Sequence, residues 1–378
     1  NPWSGRDARM ITAVAGGEAP DICYFNPRHV AKFLSLNALV PVDDYLPDEY
    51  KTGAYEWALK MYYYNGSTWA APFLVGGPVL AIYSVEAFEK AGITPPSGPE
   101  DAWTVDQFIE ACLKLKEHGY YLGIPGRVGL PAHLLPAFNM YGADVFPHEG
   151  IPWATTIAFN NSAGVKAFKF FYDLWNTYKV AHPSLAGTPP PGLATELFAV
   201  KKEIGIMMAA PFGTAALEIH DKNPDFKWGV LGIIWDKESG KGKWPNLPCM
   251  QCSSAVGAWG AFKQSFNKHP EAAGKVLSFL LSKHFTEEYC KSGGRLTVYK
   301  DLKDMYKGTE MWEICKMGEY LKWIDYVRPE WGVHPAATDV YEILVSELES
   351  CINGEKTPEE AVRDAASECI QAIKRALK

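Results

Sequence analysis

Paired carboxylates, closely spaced thiols and glycine-rich runs are the residues in this chain that could do chemistry. Asp43-Asp44 and Glu287-Glu288 are the raw material of acid–base catalysis. Neighbouring residues on a helix or strand point apart, so both pairs read as caps or solvated faces. Glycoside cleavage needs two carboxylates facing across a cleft, which sequence alone neither gives nor excludes. Cys249-Met-Gln-Cys252 has the spacing of half a zinc site, but no second Cys-x-x-Cys or His-x-x-x-His accompanies it. Gly123-Ile-Pro-Gly-Arg-Val-Gly129 imitates a phosphate loop, yet Pro125 interrupts it and it reads as a surface turn, not a strand-to-helix junction. No Gly-x-Ser-x-Gly elbow, Walker loop or His-Glu-x-x-His motif occurs. These residues argue for no enzyme, no cofactor and no metal.

Binding chemistry is better supplied. The chain holds 13 Trp and 19 Tyr, flat apolar faces with polar edges that suit sugar rings. Its 37 basic and 44 acidic residues give a net charge of −7, with no basic block longer than a pair, which argues against a nucleic-acid surface. Residues 61–85, 128–143 and 244–262 lack charge, but Pro, Gly, Asn or Gln interrupt each, so none reads as a membrane span.

Helical patterns at 106–118, 162–178, 272–281, 312–320 and 338–352 alternate with short apolar strands at 80–84, 204–208 and 229–234. That alternation predicts an α/β fold with strands buried between helix layers. Near the start, Ala13-Val-Ala-Gly-Gly-Glu-Ala-Pro-Asp21-Ile-Cys-Tyr-Phe25 reads as a helix end, a glycine stop and a buried strand over 21–25. A second helix and the turn Leu39-Val-Pro41 follow. Residues 188–192, Thr-Pro-Pro-Pro-Gly, mark a surface loop.

The 13–46 stretch resembles the strand that lines the ligand cleft in extracellular solute-binding proteins of ABC importers, the family that includes maltose-type binding proteins. Further similar segments follow in the family's order: Tyr64-Asn-Gly-Ser-Thr-Trp-Ala-Ala-Pro72-Phe73, Gly77 to Gly92, Trp103-Thr-Val-Asp-Gln-Phe108, Val256 to Phe262, Pro270 to Leu281 and Lys356 to Ala361. The resemblance implies a two-lobed periplasmic-binding-protein-like fold of class II type, with the ligand cleft between the lobes. It puts residues 1–100 and 254–298 in lobe one and 103–250 and 300–378 in lobe two. Hinge crossings then fall near 98–103, 252–254 and 297–301. It implies capture of a sugar or oligosaccharide by lobe closure, delivery to permease subunits, and an extracellular or periplasmic location, with a tether if an N-terminal segment supplies one.

The loop after strand 21–25 projects from a carboxyl end, the ligand-facing edge of an open α/β sheet, and nominates Phe25, Asn26 and Arg28. The same residues also make a capped turn before a helix over 29–36. Phe73, Gly76 and Gly77 follow Pro72, where glycine either admits a ligand to the backbone or permits a bulge. The resemblance adds Phe212, where relatives often carry Trp, with Gln251, Ser253, Trp323 and Trp331. Core packing is the competing reading for Trp323, whereas Gly332 and Pro335 put Trp331 in a loop. Arg28, Arg127 and Arg295 would suit an anionic ligand such as a sugar phosphate if they converge; a neutral saccharide would meet aromatics and amides.

Two expectations depart from the family pattern. The family's first strand and helix precede the segment matched by residues 3–16, so the first βα unit is expected outside the numbered chain. It belongs to a longer polypeptide or is supplied by another chain. The second case gives the alternative function: a surface or assembly subunit, a homo-oligomer exchanging N-terminal strands. Eight cysteines in an exported protein also suggest disulfides, and eight allow 105 pairings. Cys351 with Cys369 would staple two antiparallel helices, Cys290 with Cys315 is a further pair, and Cys249 with Cys252 forms a local disulfide or two buried thiols.

Overall fold

The computed structural model describes residues 6–75, 79–148, 150–211, 213–238, 253–254, 256–324, 328–329 and 333–378. Two sheets organise it. The first runs in the order Ile22–Phe25, Val256–Phe262, Ala71–Val75, Leu296–Thr297, with Leu39–Val40 also paired to Val256–Phe262. Every pairing in it is antiparallel, Phe25 lying opposite Ala258 and Val75 opposite Val256. The second runs Trp228–Gly232, Val79–Ser84, Ile204–Pro211, Tyr121–Gly123, its last pair parallel. This is the α/β architecture the strand and helix pattern predicts.

Local chemistry accounts for the helices that cover these sheets. Thr104 opens the helix Val105–Glu117 by accepting from the Gln107 amide at 3.3 Å, while Gln107 Oε1 accepts from the Thr104 amide at 2.9 Å. Thr357 and Glu360 repeat the exchange at the start of Pro358–Ala376. The pattern over 312–320 is not one helix: Lys316, at φ +50°, separates Glu310–Ile314 from Met317–Leu321. Nor is 123–129 a turn. The strand Tyr121–Gly123 leads into the helix Gly126–Met140, because Pro125 stands just before the first turn, where a missing amide costs nothing. Gly126 is required there, since a Cβ would lie 2.2 Å from the Gly187 carbonyl oxygen.

One hydrophobic core runs without a break from the first sheet (Phe25, Phe73, Val256) onto one face of the second (Ile82, Ile204, Val230). A separate core on the other face gathers Leu122, Ile206 and Leu231 with the helices Val105–Glu117, Ser162–Tyr172, Ala337–Ile352 and Pro358–Ala376. The chain leaves the first sheet at Val75 and enters the second at Val79. Residues 79–84 thus pair with 204–211 and 228–232, on the far side of a crossing that the sequence reading put near 98–103.

The expected disulfides at Cys351, Cys369, Cys290 and Cys315 are corrected: all four are free, buried thiols, as is Cys112, and the half-buried Cys23 is free as well. The helices Ala337–Ile352 and Pro358–Ala376 do pack together, but Cys369 Sγ meets the Val340 carbonyl oxygen at 3.9 Å. Val340 is three turns from Cys351, about 16 Å along that helix. Cys315 Sγ instead contacts Met311 Sδ at 3.4 Å. Cys249 and Cys252 lie outside the described residues.

Candidate functional site

The two sheets present edges to each other where the chain crosses. On the first, Phe25 and Val75 end their strands beside the start of Val256–Phe262. On the second, Val79 pairs with Pro211, and Tyr121–Gly123 ends alongside. The strand ends at Phe25, Val75, Gly123 and Pro211 therefore lie along one seam between the sheets. Gly213 closes that seam at one end: at φ +73°, its Cβ position lies 2.4 Å from the Gly294 carbonyl oxygen, just ahead of Leu296–Thr297.

Asn26 is the most informative residue on it. It ends the strand Ile22–Phe25 in extended geometry and precedes Pro27, the first residue of the helix Pro27–Ser35. Its side chain is buried, and among the described residues Oδ1 has no hydrogen-bond partner. A buried unpaired amide oxygen costs about 1–3 kcal/mol, so a ligand donor there would recover an existing loss.

Two cationic groups act on the same turn. The Arg6 guanidinium donates to the Tyr24 carbonyl and to Cys23 Sγ, and its Nη1 lies 3.5 Å from His29 Nδ1. The Asn26 amide also donates to His29 Nδ1, at 3.2 Å. With Nδ1 accepting, the imidazole is neutral and carries its proton on Nε2. Burial, then the charges of Arg28 and Arg6, hold His29 far below its ordinary value, at about 3. Two guanidiniums, a neutral imidazole and a helix N-terminus make a loop that favours electron-rich ligand atoms.

Other nominated residues sit elsewhere. Phe25 is fully buried against Phe33 and Phe262, at ring distances of 5.7 and 5.5 Å. Phe73, also fully buried, stacks on Trp259 at 4.9 Å. Trp323 is buried over the Gly232 backbone. These three rings pack the interior. Ser253 pairs in parallel with Arg328, so the returning segment and the late segment lie side by side at the seam. Gly76, Gly77, Phe212, Gln251 and Trp331 lie outside the described residues, as does the Arg127 side chain. Arg295 lies over Tyr289 at 5.4 Å, and two strands separate its strand from the one that leads to Arg28, so these two arginines do not converge.

Sequence reasoning missed Arg6 and His29.

A family model described as bacterial extracellular solute-binding protein matches residues 2–284. The chain belongs to that family. A putative binding protein of Brucella abortus (strain 2308) is 23% identical over 388 residues, covering 99% of this chain and 84% of that protein. A putative oligosaccharide periplasmic-binding protein from Synechococcus sp. MITs9220 superposes with a TM-score of 0.80 at 16% identity, over 100% of this chain and 91% of that one. An ABC transporter solute-binding protein from Thermotoga lettingae, bound with α-D-tagatose, gives 0.72 at 20% identity, over 98% and 89%. The α/β fold here matches these two-lobed solute-binding structures. The protein is a solute-binding protein of a bacterial extracellular family. Among the described residues, no helix is long and apolar enough to cross a membrane.

Proposed function

We propose that the solute is a sugar or oligosaccharide, gripped at the seam between the lobes and handed to permease subunits after closure. The observation that carries this reading is the buried Asn26 Oδ1, unpaired among the described residues, at the end of the strand Ile22–Phe25, in a turn where Arg6 and Arg28 act on His29. Asn26 accepts a hydroxyl proton while the guanidiniums donate to ring or hydroxyl oxygens, so both hydrogen-bonding roles of a sugar hydroxyl are met. The oligosaccharide and tagatose proteins that share the fold support a carbohydrate.

The chain leaves the first sheet at Val75, enters the second at Val79, and is back in the first at Val256. Ligand contacts made from both edges favour closure only by the difference in affinity between closed and open states. Capture, not strand exchange in an assembly, is the role that the family match supports.

The positive loop favours a second reading within the same site, a sugar carrying an anionic group. A thermal-shift screen over neutral sugars, oligosaccharides, sugar acids and sugar phosphates tests both. A ligand at about 100 times its dissociation constant should add roughly 2.7 kcal/mol of stability. Silence across the carbohydrates would overturn the sugar assignment, and a response to the anionic members alone would select the second reading.

A further inference from the structure

A third apolar cluster, which meets the first core only through Trp69, lies between the lobes: Ala31, Leu34, Tyr64, Trp69, Val333 and Trp153. Four of these belong to the first lobe. Ala31 and Leu34 lie on the helix Pro27–Ser35, and Tyr64 and Trp69 lie on and just after the hairpin of Tyr63–Tyr64 and Ser67–Thr68. That hairpin is tied to the first sheet, since the Val42 amide donates to the Thr68 carbonyl at 2.8 Å and the neighbouring Tyr62 hydroxyl donates to the Val256 carbonyl.

Trp153 and Val333 belong to the second lobe. They are held by His334, whose Nδ1 accepts from the Ala336 amide at 3.0 Å and whose Nε2 donates to the Ala154 carbonyl at 2.8 Å. The same imidazole stacks on Phe146 at 4.5 Å and meets the Trp153 indole edge-on at 5.9 Å. Across the divide, the Tyr64 ring lies 6.0 Å from the Trp153 ring and against Gly150, where a Cβ would come within 3.2 Å of Tyr64 Cδ1. Each half of this contact is braced within its own lobe, so relative motion of the lobes must break or slide the Tyr64–Trp153 contact itself.

We propose that Tyr64 and Trp153 are positioning residues that set the balance between lobe arrangements, and through it the affinity for the ligand, without contacting the ligand. This rests on the reading of the protein as a receptor that closes on its solute. A contact present in only one arrangement shifts the equilibrium by its own free energy, and couplings of this kind change affinity about 5- to 150-fold.

A cavity of about 390 Å³ opens beside the seam, lined by Trp57, Lys60, Tyr63 and Asn65 on one wall and by Gly150 and Ile151 on the other. Tyr63 and Ile151 are both exposed, which gives a way to lock the contact. Tyr63→Cys with Ile151→Cys, bridged by a short bis-maleimide, holds the walls together. Peptide mass mapping verifies that the bridge joins the introduced pair and not a native thiol such as the half-buried Cys23.

The experiment compares wild type, Trp153→Ala, Trp153→Phe and the bridged protein by small-angle scattering and by titration with the solute found in the thermal-shift screen. Loosening by Trp153→Ala and locking by the bridge are expected to move the scattering radius and the Kd in opposite directions, the Kd by about tenfold. Trp153→Phe should restore wild-type values. The proposal is overturned if Trp153→Ala changes neither quantity, or if loosening and locking move them the same way. Absence of any carbohydrate ligand for wild type would instead count against the sugar reading, and the scattering radii would still judge the seam.

Discussion

The indole of Trp323 lies on the backbone of Gly232: a Cβ at position 232 would come within 2.0 Å of Trp323 Cζ2. Gly232 also sits at φ +86°, so two independent requirements exclude a side chain there. Gly354 has the second requirement alone, with φ +77° and open space around its Cβ position. Gly354→Ala is therefore expected to cost about 1 kcal/mol, and Gly232→Ala to cost at least twice as much, roughly 2–4 kcal/mol. Equal midpoints for the two variants in urea melts would contradict this packing.

Asn26 should show stability and binding pulling in opposite directions. Its Oδ1 is buried and has no hydrogen-bond partner among the described residues. Asn26→Ala is expected to leave thermal stability unchanged or slightly raised while weakening ligand binding by about tenfold, or ~1.4 kcal/mol. Titration calorimetry and a melting curve on the same sample would check both halves.

His29 gives the protein an acid-side liability. Its value is held at about 3 in the folded protein against 6.5 for the free side chain, so the unfolded chain takes up a proton that the folded one refuses. The stability associated with neutral His29 is complete above pH 6.5 and is lost progressively as pH falls toward 3, with a ceiling of about 5 kcal/mol. His29→Gln should flatten the stability profile over that window relative to wild type. Parallel profiles measured by urea denaturation would show that His29 titrates normally.

Thiol chemistry separates the free-cysteine structure from the disulfide expectation. Burial pushes Cys351 and Cys369 each up to about 12. Both should resist alkylation in the native protein at pH 8 and react after unfolding in the absence of reductant. Mass mapping of alkylated peptides reads this directly; a Cys351–Cys369 linked peptide would contradict it.

Much of the scaffold was legible because hydrophobic period and turn chemistry are local. The strand ending at Phe25, the helix opened by Thr104 and the helix opened by Thr357 all follow from neighbouring residues. Side-chain direction was harder. Phe25 was nominated for the cleft from its place at a strand end, but strand parity turns it toward Phe33 and Phe262, and the sequence does not fix which face is inward there. Arg6 reaches Tyr24 from 18 residues away, a contact with no local period to announce it. Cys351 and Cys369 failed for a related reason: two packed helices were foreseeable, but not the axial offset that puts Cys369 beside Val340.

The most direct test of carbohydrate capture at the lobe seam is calorimetric titration of wild type, Asn26→Ala and Arg28→Ala with the best sugar or oligosaccharide from the thermal screen. The account predicts saturable one-to-one binding by wild type and an affinity lowered about tenfold or more in each variant. Binding left unchanged by both substitutions would contradict it, as would a chain that binds no carbohydrate at all.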